Sequence, residues 1–309
     1  MKIYKQLLYL LSIISLIALV AFIFIEFQKK DTVAPVISIP KEELTLSINS
    51  PESDYLSDVT AKDNFDGNVT KDVFVENIDK GDNTEIGVFD VFYVAIDNKL
   101  NVGKATRKLN LTDYYSPRFS IEQPLTIAPD QGATIRSLIT ATDCIDGDIS
   151  SFIKITGDEL EKATLEVGVY HSNIEVTNSL GDTAVLPITV EVTNQNDLSK
   201  PQILFSNYVV YVPLGEGVDL LSYPQYIYDD GTKEIDRAAV ETTDDDNYLY
   251  YSYTEEKTTQ STTIPISSIT YETELNTQVP GVYPVTYHYT STTTNTSCSA
   301  TIYVCVEGR

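Results

Sequence analysis

The chain contains no tryptophan, one methionine, two histidines and three cysteines in 309 residues. No zinc-type spacing can be assembled from so few cysteines and histidines. Basic residues are also scarce, with 21 Lys and Arg against 45 Asp and Glu. Four of the lysines and one of the acids fall within residues 1–30. Residues 31–309 therefore carry 17 basic and 44 acidic side chains, a net of −27. Such a surface repels phosphate backbones and anionic lipid, which excludes nucleic acid as a partner. It attracts divalent cations or basic partners, and it also keeps a protein soluble. The phosphate-cradling glycine loop and the G-x-S-x-G elbow are both missing. Past residue 30 no helical periodicity is present, which argues against a helical or α/β domain.

The cysteines that do occur are not placed to pair. Cys298 and Cys305 lie in "SCSATIYVCV", which reads as one strand. Seven strand residues span roughly 23 Å and an odd separation puts the two on opposite faces, beyond the disulfide limit of about 7 Å between Cα atoms. Parity predicts Cys298 facing inward with Ala300, Ile302, Val304 and Val306, and Cys305 facing outward with Thr301 and Tyr303. An exported chain that makes no use of disulfides suits a bacterial surface.

One long apolar run is present. "LLYLLSIISLIALVAFIFI" (Leu7–Ile25) is nineteen residues without a charge. At about 1.5 Å per residue it matches the roughly 30 Å hydrocarbon thickness of a bilayer. A cleavable signal peptide has a shorter apolar region, about 7–15 residues, ending at a small-x-small site. Here Ala18 and Ala21 are one residue too far apart and bulky "FIFIEF" follows. The run predicts a retained membrane anchor, with a few N-terminal residues in the cytoplasm and the acidic remainder outside.

That remainder is rich in Val, Ile, Thr and Tyr, the strand formers, and it repeats. "AKDNFDGNVT" (Ala61–Thr70) recurs 80 residues later as "ATDCIDGDIS" (Ala141–Ser150). "APVISI" (Ala34–Ile39) matches "SPRFSI" (Ser116–Ile121) and "KPQILF" (Lys200–Phe205). "GVFDVFYVAIDN" (Gly87–Asn98) matches "GVYHSNIEVTN" (Gly168–Asn178) and "GVYPVTYHYTS" (Gly281–Ser291). Each unit closes on an alternating strand. After each glycine the alternate positions are mostly apolar, the mark of half-buried strands: Phe89, Val91, Tyr93 and Ala95 in the first unit, for example. The fold class is all-β, with three tandem immunoglobulin-like β-sandwiches after one transmembrane helix. The predicted divisions are 1–30 (tail and anchor), 31–113, 114–196 and 197–309, with a tyrosine-rich insertion at about 237–268 in the third domain. The linkers are short and not Gly/Ser-rich, so the domains should be strung semi-rigidly.

The order proline-strand, A-x-D-x-x-D-G-[DN]-[VI]-[ST], G-V-[FY] and a final alternating strand resembles the bacterial surface immunoglobulin-like domains. These are tandem modules related to hyalin repeats and found in Gram-positive surface proteins. The resemblance covers residues 31–309 and is strong in the first two repeats. In the third the motif is degraded to "YIYDDGTKEI" (Tyr226–Ile235). It implies an Ig-like sandwich in a stalk or adhesion role and no catalytic residues. The alternatives are a structural spacer or envelope-assembly scaffold and, more remotely, an accessory module of a surface enzyme.

The D-x-x-D-G motif supports three readings. Asp accepts backbone hydrogen bonds two residues on and glycine supplies positive φ, so the motif closes a turn. The oxygens of Asp63, Asp66 and Asn68, or of Asp143, Asp146 and Asp148, are also candidate calcium ligands. Calcium takes about six to eight oxygens, so carbonyls or an acid such as Asp31 or Asp113 would have to join. A catalytic carboxylate pair fits poorly with a repeated stalk domain. No other cofactor is expected. His171 and His288 fall at outward-facing strand positions. "TTDDDNYLYYSYTEEKTTQSTT" (Thr242–Thr263) offers Tyr248, Tyr250, Tyr251 and Tyr253 as a surface for an extracellular protein or glycan; its plain reading is an extra hairpin. Attachment is expected only through the N-terminal segment, because the chain ends "YVCVEGR" with no L-P-x-T-G signal. Three N-x-[ST] sequons, at Asn68, Asn110 and Asn295, matter only in a glycosylating host.

Overall fold

The computed structural model describes residues 2–28, 31–130, 132–156, 160, 165–194, 200–229, 232–237 and 263–308. Helix α1 (Lys2–Gln28) contains a stretch, Tyr4–Ile23, long and apolar enough to cross a membrane. Among the described residues after it, the regular structure is β-strand with a few short helical segments. The chain divides into two compact units, Met1–Asp113 and Tyr114–Arg309.

In the first unit, β1 (Val36–Ser38), β3 (Thr60–Asp63) and β4 (Gly67–Asn68) form one sheet, in the order β1-β3-β4. The second sheet has the order β2-β7-β6-β5, from β2 (Glu43–Leu46), β5 (Val73–Asp79), β6 (Val88–Ile96) and β7 (Val102–Leu111). The two-residue periodicity is realised in β6, where Phe89, Val91, Tyr93 and Ala95 are all fully buried. Pro35 precedes β1, where a missing N–H is tolerated. A Cβ at Gly103 of β7 would lie 2.0 Å from the Pro35 carbonyl oxygen, so only glycine lets these two segments approach.

An arginine is among the charged groups sealed into this unit. Arg107 lies on the inward parity of β7 and is buried. Its Nε donates to the Tyr93 hydroxyl at 2.8 Å, NH1 to Asp58 Oδ1 at 2.6 Å and NH2 to the Tyr55 carbonyl at 2.7 Å. The Tyr93 hydroxyl also donates to the Tyr55 carbonyl, at 2.8 Å. A buried guanidinium persists because its donors are matched in this way.

The second unit holds two sheet pairs. The first pair has the orders β8-β10-β11 and β12-β13-β14-β9. Its strands are β8 (Arg118–Ile121), β9 (Thr126–Ile127), β10 (Ile139–Asp143), β11 (Gly147–Asp148), β12 (Lys154–Thr156), β13 (Gly168–Thr177) and β14 (Thr183–Val192). The other pair has the orders β15-β17-β18-β19 and β16-β22-β21-β20. Its strands are β15 (Gln202–Phe205), β16 (Val209–Pro213), β17 (Pro224–Tyr228), β18 (Thr232–Asp236), β19 (Thr263–Pro265), β20 (Ile269–Thr273), β21 (Gly281–Thr290) and β22 (Ser297–Glu307).

These two sandwiches share one continuous core, and their junction is closed by directional bonds. The Phe119 and Ile121 N–H groups of β8 donate to Tyr211 Oη (2.6 Å) and Asn207 Oδ1 (3.1 Å). The Tyr208 N–H donates back to the Ile121 carbonyl at 2.7 Å, and the Tyr303 hydroxyl accepts from the Thr189 N–H at 2.8 Å. Arg118 makes a two-pronged pair with Glu307, at 2.9 and 2.5 Å, between the rings of Tyr115 and Tyr211.

The junction corrects the cysteine parity. Cys298 is half-buried and packs against the core, as its inward parity predicts, whereas Cys305 is buried instead of facing outward. Alternation within one strand sees one core only. The outward face of β22 at Tyr303, Cys305 and Glu307 is covered by the neighbouring sandwich. None of the three cysteines forms a disulfide. Burial pushes Cys305 up to about 12 and Cys298 up to about 11, so both stay protonated at neutral pH.

Candidate functional site

Strand register places the three D-x-x-D-G regions at one structural position. Val36 pairs with Lys62, Arg118 with Thr142 and Gln202 with Tyr228, each partner immediately preceding an aspartate. Asp63, Asp143 and Asp229 are therefore equivalent, and all three are buried.

The turn reading holds in the first two repeats. Asp63 Oδ1 accepts from the N–H groups of Phe65 (2.7 Å) and Asp66 (2.8 Å). Asp143 Oδ1 accepts from Ile145 (2.8 Å) and Asp146 (3.0 Å). Gly67 and Gly147 follow at φ +76° and +73°, the left-handed region that glycine enters without strain. Asp66 then ties the turn to the end of the central strand β6, accepting from Asn98 N–H (3.0 Å) and Nδ2 (2.8 Å). Asp146 does the same with Ser179 N–H (2.6 Å) and Oγ (2.7 Å).

Beyond the turn the repeats diverge. In the first, Asp31, Asp63, Asp66 and Asp97 converge, one oxygen from each lying within 4.8 Å of the others. Asp97 is held by Asn101 and Lys99: Oδ1 accepts from the Lys99 (2.7 Å) and Asn101 (2.8 Å) N–H groups, and Oδ2 from Asn101 Nδ2 (2.7 Å). Burial raises its carboxyl, but these donors outweigh it and hold Asp97 below the usual carboxylate range. Asp31 Oδ1 caps the Val33 N–H at 3.1 Å. Oδ2 of Asp31 and Oδ2 of Asp63 are buried with no hydrogen-bond donor.

In the second repeat the corresponding space is filled by neutral donors. Asn178 stands where the first repeat has Asp97, and its Nδ2 donates to Asp143 Oδ2 (3.1 Å) and to the Tyr114 hydroxyl (2.8 Å). Tyr114 donates to Asp182 Oδ2 at 2.8 Å, which also accepts from Ser116 Oγ at 2.7 Å. Burial and then the Asp182 carboxylate push the Tyr114 hydroxyl far above the ordinary tyrosine range, so it remains a donor. In the third repeat Lys233 Nζ lies 3.5 Å from Asp229 Oδ2, which also accepts from the Tyr289 hydroxyl at 3.1 Å. Both charged side chains of that pair are largely buried.

Of the sequence candidates, Asp63 and Asp66 are brought together with Asp31. Asn68 and Asp148 are not: each turns outward and caps the next helical turn, accepting from the Thr70 and Ser150 N–H groups at 3.0 Å. Asp113 is engaged elsewhere, accepting from the Ile48 N–H and Ser47 Oγ. Asp97 was not among the candidates, because it lies 31 residues past Asp66. The signal was the column it occupies, ten residues after Gly87, Gly168 and Gly281, which reads Asp97, Asn178, Ser291. Tyr248, Tyr250, Tyr251 and Tyr253 lie outside the described residues.

The histidines have ordinary strand surroundings. His171 is exposed with Nδ1 3.1 Å from Thr189 Oγ1, and His288 is half-buried with Nε2 3.5 Å from Glu272. A cleft of about 390 Å³ at the junction in the second unit is lined by Ile121, Val169, Thr189, Glu191 and Tyr303 among others, with no histidine.

No protein-family model matches the chain. A 190-residue stretch, 59% of the chain, is 24% identical to an uncharacterized 81.3 kDa protein of Acholeplasma phage L2, and spans 25% of that relative's length. Among solved structures, the chain is similar to the second CBM51 module in complex with GlcNAc, with INT domains, from Clostridium perfringens ZmpB. That likeness has 18% identity over 49% of this chain and 26% of that one, at a TM-score of 0.21. Cadherin domains 1–5 of protocadherin gamma B2 match at 13% identity, covering 89% and 60%, with a TM-score of 0.19.

Proposed function

We propose that the chain is a non-catalytic surface module. The N-terminal helix holds it in a membrane, and its sandwiches lie outside, where they engage an extracellular protein or glycan. The observation that carries this reading is the helix surface. Tyr4–Ile23 is unburied along its whole length, and among the described residues nothing covers Leu8, Leu11, Ile17 or Phe22. At about 25 cal/mol per Å² of apolar surface, a bare helix of this kind is driven into lipid. The acidic remainder cannot hold an anionic membrane by itself.

The resemblance to bacterial surface immunoglobulin-like modules supports an adhesion role, with the tyrosine-rich segment as the contact. A pure spacer is the second reading, favoured by the bonded junction in the second unit. The two separate on one experiment. Replacing Tyr248, Tyr250 and Tyr251 by Ser in the full chain is expected to lower binding to cells or a glycan array at least tenfold, on the scale of losing aromatic hot spots, with melting unchanged. Binding that persists at full strength favours the spacer.

A further inference from the structure

We propose that the first sandwich binds one calcium ion through Asp31, Asp63, Asp66 and Asp97, and that the other two sandwiches bind none. This does not depend on membrane anchorage or on any adhesion partner.

Four carboxylates within 4.8 Å of one another repel strongly unless a cation lies between them. Among the described residues no lysine or arginine pairs with any of the four. Asp63 is only 3% exposed, yet its Oδ2 has no donor, and the buried Asp31 Oδ2 is in the same state. Buried carboxylate oxygens without donors are costly, and a metal ion is the partner that would satisfy both. Calcium suits such a site better than magnesium: it takes about six to eight oxygens in flexible geometry, whereas magnesium demands near-ideal octahedral geometry and keeps several of its waters. Oxygens already bonded to Asn98 or Asn101 keep a second lone pair for the ion. Carbonyls and water complete the shell.

The other repeats act as internal controls. The second places the Asn178 amide against Asp143 Oδ2. The third places the Lys233 ammonium near Asp229 Oδ2. One pocket is thus filled three ways: by an amide, by a lysine and, in the first repeat, by an ion from solution. Asp31 lies before β1 and Asp97 at the end of β6, so the ion would clasp the incoming chain to the central strand.

The test uses the full chain in detergent, with calorimetry in calcium or in chelator, and equilibrium dialysis with ⁴⁵Ca. Wild type is expected to bind one calcium per chain, and calcium at a hundredfold excess over Kd should raise the melting of the first unit by roughly 10–20 °C. Magnesium at the same concentration should raise it less. Asp63→Asn keeps the oxygen that caps Phe65 and Asp66 and replaces Oδ2 by an amide, as Asn178 does for Asp143. It is expected to lose the bound ion and the calcium-dependent rise, and to melt in chelator no lower than wild type. Should Asp63→Asn fail to fold, Asp66→Asn reads the same losses. Wild-type melting indifferent to calcium and chelator, zero or more than one ion per chain, or a full calcium response in Asp63→Asn would overturn the proposal.

Discussion

Arg107→Ala is expected to destabilise the first sandwich by about 3–5 kcal/mol, the usual cost of breaking one side of a buried ion pair. The Arg107 side chain is 1% exposed and makes three directional bonds, to Tyr93, Asp58 and Tyr55. It also lies 5.3 Å from the Tyr93 ring centre. Removing it leaves the Asp58 carboxylate without its cation, and Asp58 Oδ2 is already buried without a donor. The Tyr55 carbonyl keeps the Tyr93 hydroxyl at 2.8 Å, so the loss concentrates on Asp58 and on the space vacated. At an m-value of about 1.5 kcal/mol/M, urea unfolding of the first unit should move down by about 2–3 M. Asp58→Asn, which keeps an acceptor facing Arg107, should cost about 1–2 kcal/mol. An Arg107→Ala shift below about 1 kcal/mol would mean that the cluster is not a structural centre.

The second large effect is expected at Tyr287. Its ring is fully buried on β21, with centroids 5.1 Å from Phe205 and 5.9 Å from Tyr271. Its hydroxyl donates to the Leu220 carbonyl at 2.7 Å. Tyr287→Ala empties a core position and orphans that carbonyl, an expected loss of about 3–5 kcal/mol. Tyr287→Phe removes the hydrogen bond alone, an expected loss of about 1–2 kcal/mol. Because the second and third sandwiches share one core and a bonded junction, residues 114–309 should move as one transition in calorimetry. Two transitions, with the second sandwich unaffected by Tyr287→Ala, would show the junction to be weak.

Much of the architecture was legible because strand periodicity is local. The alternation around Phe89, Tyr93, Val285 and Tyr287 needs no knowledge of distant residues. The prolines before β1, β8 and β15 and the glycines after Asp66 and Asp146 are also local signals, each tied to a backbone requirement. What failed to show was non-local. Cys305 faces outward by parity and is buried by another sandwich. Arg107 carried a readable hint, a charge on the apolar parity of β7, but its partners Tyr55 and Asp58 come from a distant turn. The candidate site was half legible. Asp63 and Asp66 stand in the motif, and Asp31 was a named auxiliary ligand, whereas Asp97 joins them only because β6 ends beside the turn. Asn68 misled because its motif position looks ligand-like while its side chain caps Thr70.

The divergence among repeats is also physical. A buried aspartate stands at the same position in each repeat, and in the first two it closes a turn with one oxygen and leaves the other to be satisfied. Asn178 and Lys233 do this from within the chain. The first repeat has neither, and it gathers three more carboxylates beside Asp63.

The central claim is that an acidic β-sandwich body stands outside a membrane crossed by α1. It is tested most directly by labelling intact bacterial cells that produce the full chain with a membrane-impermeant amine reagent, followed by mass spectrometry of the recovered protein. Lys62, Lys71 and Lys99 are exposed on the first unit, and Lys5 lies at the other end of the apolar stretch. The expected result is labelling of Lys62, Lys71 and Lys99 on intact cells, with Lys5 labelled only after permeabilisation. Labelling of Lys5 alone, protection of all four until lysis, or recovery of the sandwiches without the Lys5 peptide would contradict it.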